Sequence, residues 1–252
     1  VTTASSRRDT RAWLPLGEPD VSGPRLFCYP NAGAGAGAFA SWRALAPDGV
    51  QLCPLQPPGR AERYQEQPHR RLDSLLDDLM TCLDGQFDGV YALYGHSLGA
   101  LVVYELTRRL RDEGLPAPVH LYVSGRAAPH LPETRARLYD LPTPRLVPHL
   151  RAIGGTPEEV LGAPELLDVF LPTLRADFEV NENYRHAPAD PLTTPLTVFG
   201  GTRDPRADAD ELRAWGALTR ARHDVRLYEG GHFFVNPHAG SLVAEMTASL
   251  RP

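Results

Sequence analysis

The stretch Tyr91-Ala-Leu-Tyr-Gly95-His96-Ser97-Leu98-Gly99-Ala100 constrains this chain more than any other. A short apolar run, Val90 to Tyr94, stops at Gly95. From Ala100 to Arg111 the apolar positions Leu101, Tyr104, Leu106 and Leu110 fall at helical spacing. Strand, tight turn and helix, with Gly-x-Ser-x-Gly in the turn, is the nucleophile-elbow pattern. A serine at the tip of so sharp a turn takes up a strained backbone conformation. A Cβ two residues before or after it would collide with neighbouring backbone, so both places take glycine. The turn lifts Oγ clear of the sheet, and the new helix aims its first N–H groups at whatever bonds to that oxygen. The same pentapeptide also fits an ordinary strand–turn–helix junction. Its chemical meaning depends on whether the chain supplies a base, an acid and an oxyanion site in the right order.

The remaining elements follow one rhythm. Strands are predicted at Leu26 to Tyr29, Val50 to Leu55, Val119 to Val123, Leu196 to Phe199 and Val225 to Tyr228. Helices are predicted around Phe39 to Leu45, Leu72 to Leu83, Asp210 to Arg222 and Pro237 to Leu250. Strands alternating with helices imply a mostly parallel sheet with helices on both faces. The rhythm breaks between about Ala127 and Ala189, where prolines are dense and the segments Pro144 to Ala152, Pro157 to Leu161 and Pro164 to Tyr184 read as helices. This is a helical insertion over the sheet, read as a lid, with a purely structural subdomain as the alternative. Residues 1–15 are expected to form a flexible polar tail, and 16–252 a single domain carrying the insertion at about 127–189.

Three groups fall just past the C-terminal ends of parallel strands: Ser97, Asp204 and His232. That edge is where open α/β sheets build sites. The order Ser…Asp…His is that of the α/β-hydrolase fold. Ser97 would attack an acyl carbon, His232 would take its proton and return it to the leaving group, and Asp204 would orient the imidazole. Asp208 and Asp210 are rivals for the acid, although Asp210 also suits the cap of the next helix. His96 neighbours the serine but points the wrong way to serve as its base. One oxyanion donor is the N–H of Leu98, directly after the nucleophile; the other comes from the loop after the first strand, with Ala32 as the choice. That loop, Gly33-x-Gly35-x-x-Ala38, also has the outline of a dinucleotide fingerprint. However, the following strand ends without the acid that would hold a ribose.

Composition narrows the class further. The formal net charge is −5, which argues against general nucleic-acid binding. All basic residues are arginine. Three well-separated cysteines, Cys28, Cys53 and Cys82, suit buried free thiols in a reducing cytoplasm and neither a disulfide framework nor a zinc site. No apolar run has membrane-spanning length and the N-terminus has no apolar leader. A monomer is the default.

Read jointly, several motifs resemble the type II thioesterases, stand-alone hydrolases that accompany modular polyketide synthases and nonribosomal peptide synthetases. They are Phe27-Cys28-Tyr29-Pro30-Asn31-Ala32-Gly33, Pro58-Gly59-Arg60, Gly95-His96-Ser97-Leu98-Gly99-Ala100, Ser124-Gly125-Arg126-Ala127-Ala128-Pro129, Gly200-Gly201-Thr202-x-Asp204 and Gly231-His232-Phe233-Phe234. The resemblance spans nearly the whole chain in the same order. It departs at the alanine-alternating glycine loop, where the family more often has a shorter glycine pair. It implies a substrate that composition could not: an acyl thioester on the phosphopantetheine arm of an acyl or peptidyl carrier protein. The implied role is editing, the removal of stalled or wrong acyl groups through an acyl-enzyme on Ser97, with no metal or redox cofactor. The insertion would then bound the acyl pocket, with Leu138, Leu141, Leu146, Ile153, Phe170 and Phe178 as candidate lining. Arg60, Arg63, Arg70 and Arg71 could meet an acidic carrier, while Arg108, Arg109 and Arg111 read as an exposed helix face. The alternatives are a carboxylesterase or lipase-like hydrolase of free esters, a medium-chain fatty-acyl carrier hydrolase and, in a different class, a non-catalytic binding module.

Overall fold

The computed structural model describes residues 10–251. Its centre is a six-stranded, all-parallel sheet in the order β2-β1-β3-β4-β5-β6. The strands are β1 (Arg25–Tyr29), β2 (Gln51–Pro54), β3 (Tyr91–His96), β4 (His120–Ser124), β5 (Leu196–Gly201) and β6 (His223–Tyr228). The period-2 alternation of strand side chains divides the core in two. Phe27, Tyr29, Leu93, Val123 and Val198 point to one face, where helices α2 (Leu72–Cys82) and α3 (Leu98–Asp112) pack. Leu26, Cys28, Tyr94, Tyr122 and Phe199 point to the other, against Phe39, Trp42 and helix α8 (Ala239–Ala248). Each interior strand is buried on both sides, which is why these runs read as continuously apolar.

The chain departs from the sequence expectation in four places. First, residues 10–14 are not part of a loose tail. Thr10–Trp13 forms one helical turn, α1, and Trp13 and Leu14 are buried. The Trp13 indole donates to Asp78 at 3.3 Å and lies 5.1 Å from the Arg63 guanidinium. The rest of the expected tail, residues 1–9, lies outside the described residues. Second, the segment Ala36–Leu45 winds as a 3-10 helix. Third, the helix expected from Asp210 is only α7 (Ala209–Arg213), continued by a 3-10 turn at Ala214–Leu218. Trp215 pins that turn by donating to the Arg126 carbonyl at 2.8 Å. Fourth, the helix cap is Asp208, not Asp210. Asp208 accepts from the N–H groups of Asp210 and Glu211, and Glu211 answers in a capping box.

Between β4 and β5 lie α4 (Thr143–Ile153), α5 (Glu158–Leu161) and α6 (Pro164–Asn183), as the proline-initiated pattern predicts. They share a small core of their own, made of Leu138, Leu146, Leu150, Leu161, Leu167 and Leu171. The three cysteines are free and buried. Among the described residues no helix is long and apolar enough to cross a membrane.

Candidate active site

Ser97 sits at the tip of the β3–α3 turn with φ 56° and ψ −113°, a left-handed conformation that a side-chain-bearing residue adopts only under constraint. The constraint is visible on both sides. A Cβ on Gly95 would lie 2.0 Å from the Gly99 carbonyl oxygen, and one on Gly99 would lie 2.3 Å from the Tyr29 carbonyl oxygen in β1. The helix can start this close to the strand only because both residues lack a side chain. The Ser97 N–H is held by the Ser124 carbonyl at 2.8 Å, tying the turn to β4.

Asp204 and His232 come from the turns after β5 and β6. His232 Nδ1 donates to both Asp204 oxygens at 3.0 Å, with both side chains buried. The rival acids are engaged elsewhere: Asp208 caps α7 and Asp210 pairs with Arg213 at 2.6 Å. Asp204 also accepts from the Arg206 N–H at 2.8 Å, which holds its carboxylate in the turn. Ser97 and His232 line the same cleft, but no direct hydrogen bond joins them in this structure. Hydrogen bonds between a nucleophile and its base often tighten only when substrate is bound.

His96 behaves as a packed residue. Its ring lies 4.9 Å from that of His232, and its Nδ1 shares a 2.8 Å hydrogen bond with the Ser124 hydroxyl, which also bonds Tyr94 at 2.9 Å. Burial pushes its protonation well below the usual histidine range, and the neighbouring His232 pushes it the same way. A neutral ring therefore lies beside His232, tilted 39° to it. Gly125, at φ 61°, makes this close approach possible, since a Cβ there would lie 2.5 Å from His96 and 3.3 Å from His232.

The loop after β1 forms the opposite wall. Asn31 to Ala34 line the cleft with Ser97. Among the described residues the Ala32 N–H meets no acceptor, while the next N–H, that of Gly33, donates to Asp177 at 2.7 Å. Asp177 sits on α6 and is 2% exposed. It also holds Arg60 through two bonds, at 2.6 and 2.9 Å, and Arg60 reaches on to the Ala34 carbonyl at 3.0 Å. Sequence reasoning missed this clamp. Its one local signal is an acid at an otherwise apolar helical position, in register with Leu174 and Val180. The glycines of the loop make room for side chains of this protein. A Cβ on Gly33 would lie 2.9 Å from Phe170, and one on Gly35 would lie 2.6 Å from Gln56. That crowding, and a 3-10 segment in place of an α-helix, leave no dinucleotide cradle there.

The cleft at Ser97 has a volume of about 210 Å³. The insertion supplies Leu150, Ile153, Val160, Phe170, Leu174 and Phe178 to it. Of the expected lining residues, Ile153, Phe170 and Phe178 are present. Leu138 and Leu146 lie instead in the insertion's own core, with Leu141 packed against it. Phe233, directly after His232, fills the end of the cleft under Gly155, where a Cβ would lie 2.1 Å from its ring.

The arginines expected to face a partner divide. Arg60 and Arg63 are buried and structural, whereas Arg70 and Arg71 are exposed. Arg108, expected on an exposed face, is also buried, bonding Glu105 at 2.7 Å and the Ala187 carbonyl at 2.8 Å. Among the described residues no cluster of three His, Cys, Asp or Glu could hold a metal ion.

Comparison with known proteins places this geometry. The family model described as a thioesterase domain matches residues 24–250. The gramicidin S biosynthesis protein GrsT of Aneurinibacillus migulanus is 37% identical over 227 residues, covering 90% of this chain and 89% of its own. Thioesterase PikA5 of Streptomyces venezuelae is 34% identical, covering 90% and 82%. Among solved structures, the RedJ thioesterase of the prodiginine pathway in Streptomyces coelicolor superposes with a TM-score of 0.85 at 35% identity, covering 99% of this chain and 97% of that one. The parallel sheet, the strained serine and the matched family model agree: this chain belongs to the thioesterase family, enzymes of α/β-hydrolase fold.

Proposed function

We propose that this thioesterase releases acyl groups from the phosphopantetheine arm of acyl or peptidyl carrier proteins, as an editing enzyme beside a cytoplasmic synthase. The observation that carries the mechanism is the buried Asp204–His232 pair opening onto the cleft that Ser97 lines. The carrier-bound substrate is supported by the company of relatives, whose names place them in gramicidin S and prodiginine biosynthesis.

In this reading His232 takes the Ser97 hydroxyl proton as Oγ adds to the thioester carbonyl carbon. Asp204 holds the imidazole with Nδ1 protonated and stabilises the imidazolium that forms. The Leu98 and Ala32 N–H groups receive the oxyanion. Collapse breaks the C–S bond, and the pantetheine sulfur leaves with the proton from His232. Water, deprotonated by the same histidine, then cleaves the serine ester and releases the carboxylic acid. A thiol is a good leaving group, so little acid assistance is needed. The insertion serves as the lid: Ile153, Phe170 and Phe178 bound the acyl chain, and Gly154 and Gly155, at φ 84° and 82°, end α4 in a hinge-like turn.

The test compares kcat/KM for acyl-carrier thioesters and simple esters of matched chain length. A preference for the free esters would sink the carrier reading. Ser97→Ala is expected to abolish turnover while keeping the far-UV spectrum and Tm of the parent. Turnover persisting in that variant would remove the covalent route.

A further inference from the structure

Ser97 also borders a second and larger opening, a chamber of about 510 Å³. Its walls are the loop after β4, from Gly125 to Arg137, the end of α6 with the residues that follow it, and Arg206 beside Asp204. Its chemistry is unlike that of the apolar cleft. Five arginines line it, Arg126, Arg135, Arg137, Arg185 and Arg206, against two glutamates, Glu133 and Glu182.

Only one of the five, among the described residues, is neutralised in place. Arg135 is committed to Glu211 at 2.6 Å and to Glu133 at 3.5 Å. Glu182 is turned onto the N–H groups of Leu138 and Tyr139, at 2.9 to 3.2 Å. Among the described residues, none of the other four arginines forms an ion pair. Arg185 donates only to the carbonyls of Glu182 and Tyr184. Arg126 donates to the Asn181 side-chain oxygen, and its Nε is buried without any partner. Burial pushes Arg126 down to about 10 and lowers Arg206 as well, the sign of cations removed from water without enough counter-charge. A guanidinium fork in that condition suits a carboxylate or a phosphate, whose oxygens accept from it in parallel.

We propose that this chamber is an anion-recognising limb of the substrate site, centred on Arg126 and Arg206, and that it binds an oxyanionic group carried by the thioester itself. The proposal rests on the thioesterase reading of Ser97. The group is either a free carboxylate at the far end of the acyl chain or the phosphate of the carrier's arm. In both cases the limb reads charge on the same molecule whose carbonyl Ser97 attacks, while the apolar cleft reads length and shape.

Two matched series separate the sources. The first pairs succinyl with butyryl on N-acetylcysteamine, which has no phosphate. The second pairs butyryl-phosphopantetheine with butyryl-pantetheine. Each is assayed for kcat/KM with the parent, Arg126→Gln and Arg206→Gln, so that the readout survives if one variant folds poorly. The charged-to-neutral ratio is expected to fall about tenfold or more in one series. A fall in the first series assigns the limb to an acyl carboxylate, and a fall in the second assigns it to the phosphate. Ratios unchanged in both series, with charged and neutral substrates moving in parallel, overturn the proposal. If the parent hydrolyses none of the four thioesters, the reading of Ser97 as the residue that attacks the thioester falls, and the limb with it.

Discussion

Asp177 offers the sharpest test of how the insertion supports catalysis. Three donors converge on its carboxylate: the Gly33 N–H at 2.7 Å and both terminal nitrogens of Arg60 at 2.6 and 2.9 Å. The pair is buried, with side-chain exposures of 9% and 2%. Asp177→Asn keeps the shape but offers one acceptor oxygen and turns an amide N–H toward a guanidinium. Removing one partner of a buried pair costs about 3–5 kcal/mol, since the other charge is left uncompensated. A domain of ordinary stability has about 5–15 kcal/mol, so the variant is expected to fold but with a large fall in its urea midpoint.

The second consequence is local. Gly33 follows the proposed donor Ala32, so freeing its N–H loosens the oxyanion wall. Misplacement by about 1 Å can cost about 10²-fold in rate, and loss of one oxyanion donor costs about 10²–10³. We expect kcat on an acyl thioester to fall by about ten- to a hundredfold. The two effects can be separated in the variant Arg60→Met/Asp177→Leu. Replacing a buried pair with apolar residues of similar volume is often neutral or stabilising, so urea unfolding is expected to return near the parent. No acceptor returns for Gly33, so kcat is expected to stay low. A double variant with parental kcat, or an Asp177→Asn variant that loses stability alone, would refute the positioning role.

Further outcomes follow from other contacts. Gly95→Ala is expected to yield no soluble native protein, because the new Cβ meets backbone at 2.0 Å, whereas Gly37→Ala, with nothing within 4 Å, is expected to change stability by less than about 1 kcal/mol. Soluble yield of the two, with a thermal melt of whatever is recovered, would check the contrast, and equal tolerance would contradict the elbow packing. Gly155→Ala is expected to displace Phe233 and narrow the cleft, lowering kcat/KM for long acyl chains more than for acetyl; a uniform loss would count against it. Acid should weaken the fold early. His96 is pushed well below the usual histidine range by burial, and His120 down to about 4 by the same cause. Between roughly pH 6.5 and 4 the unfolded chain therefore binds protons that these rings resist, so stability falls as pH falls. His120→Gln is expected to flatten that slope in urea titrations, and an unchanged slope would discount His120.

The sequence by itself determined whatever depends on short stretches of chain. The elbow was legible because Gly95, Ser97 and Gly99 solve a steric problem within five residues, and the strands because their apolar runs are buried on both faces. The proline-initiated helices of the insertion were legible for a similar local reason. The order Ser97, Asp204, His232 followed from which residues close each strand. Local pattern favoured Asp204 but left Asp208 and Asp210 as rivals. Only the folded turn decides, by giving Asp208 to the helix cap and Asp204 to His232. Nor could it show that Trp13 is buried, since one tryptophan in a polar segment has no periodicity to read. The Arg60–Asp177 clamp joins residues 117 positions apart, and the arginine chamber gathers side chains from three separate segments. A charged residue reads as surface until its partner is known. Which arginines are paired, which are buried and which are left facing Ser97 are properties of tertiary proximity, and only the fold decides them.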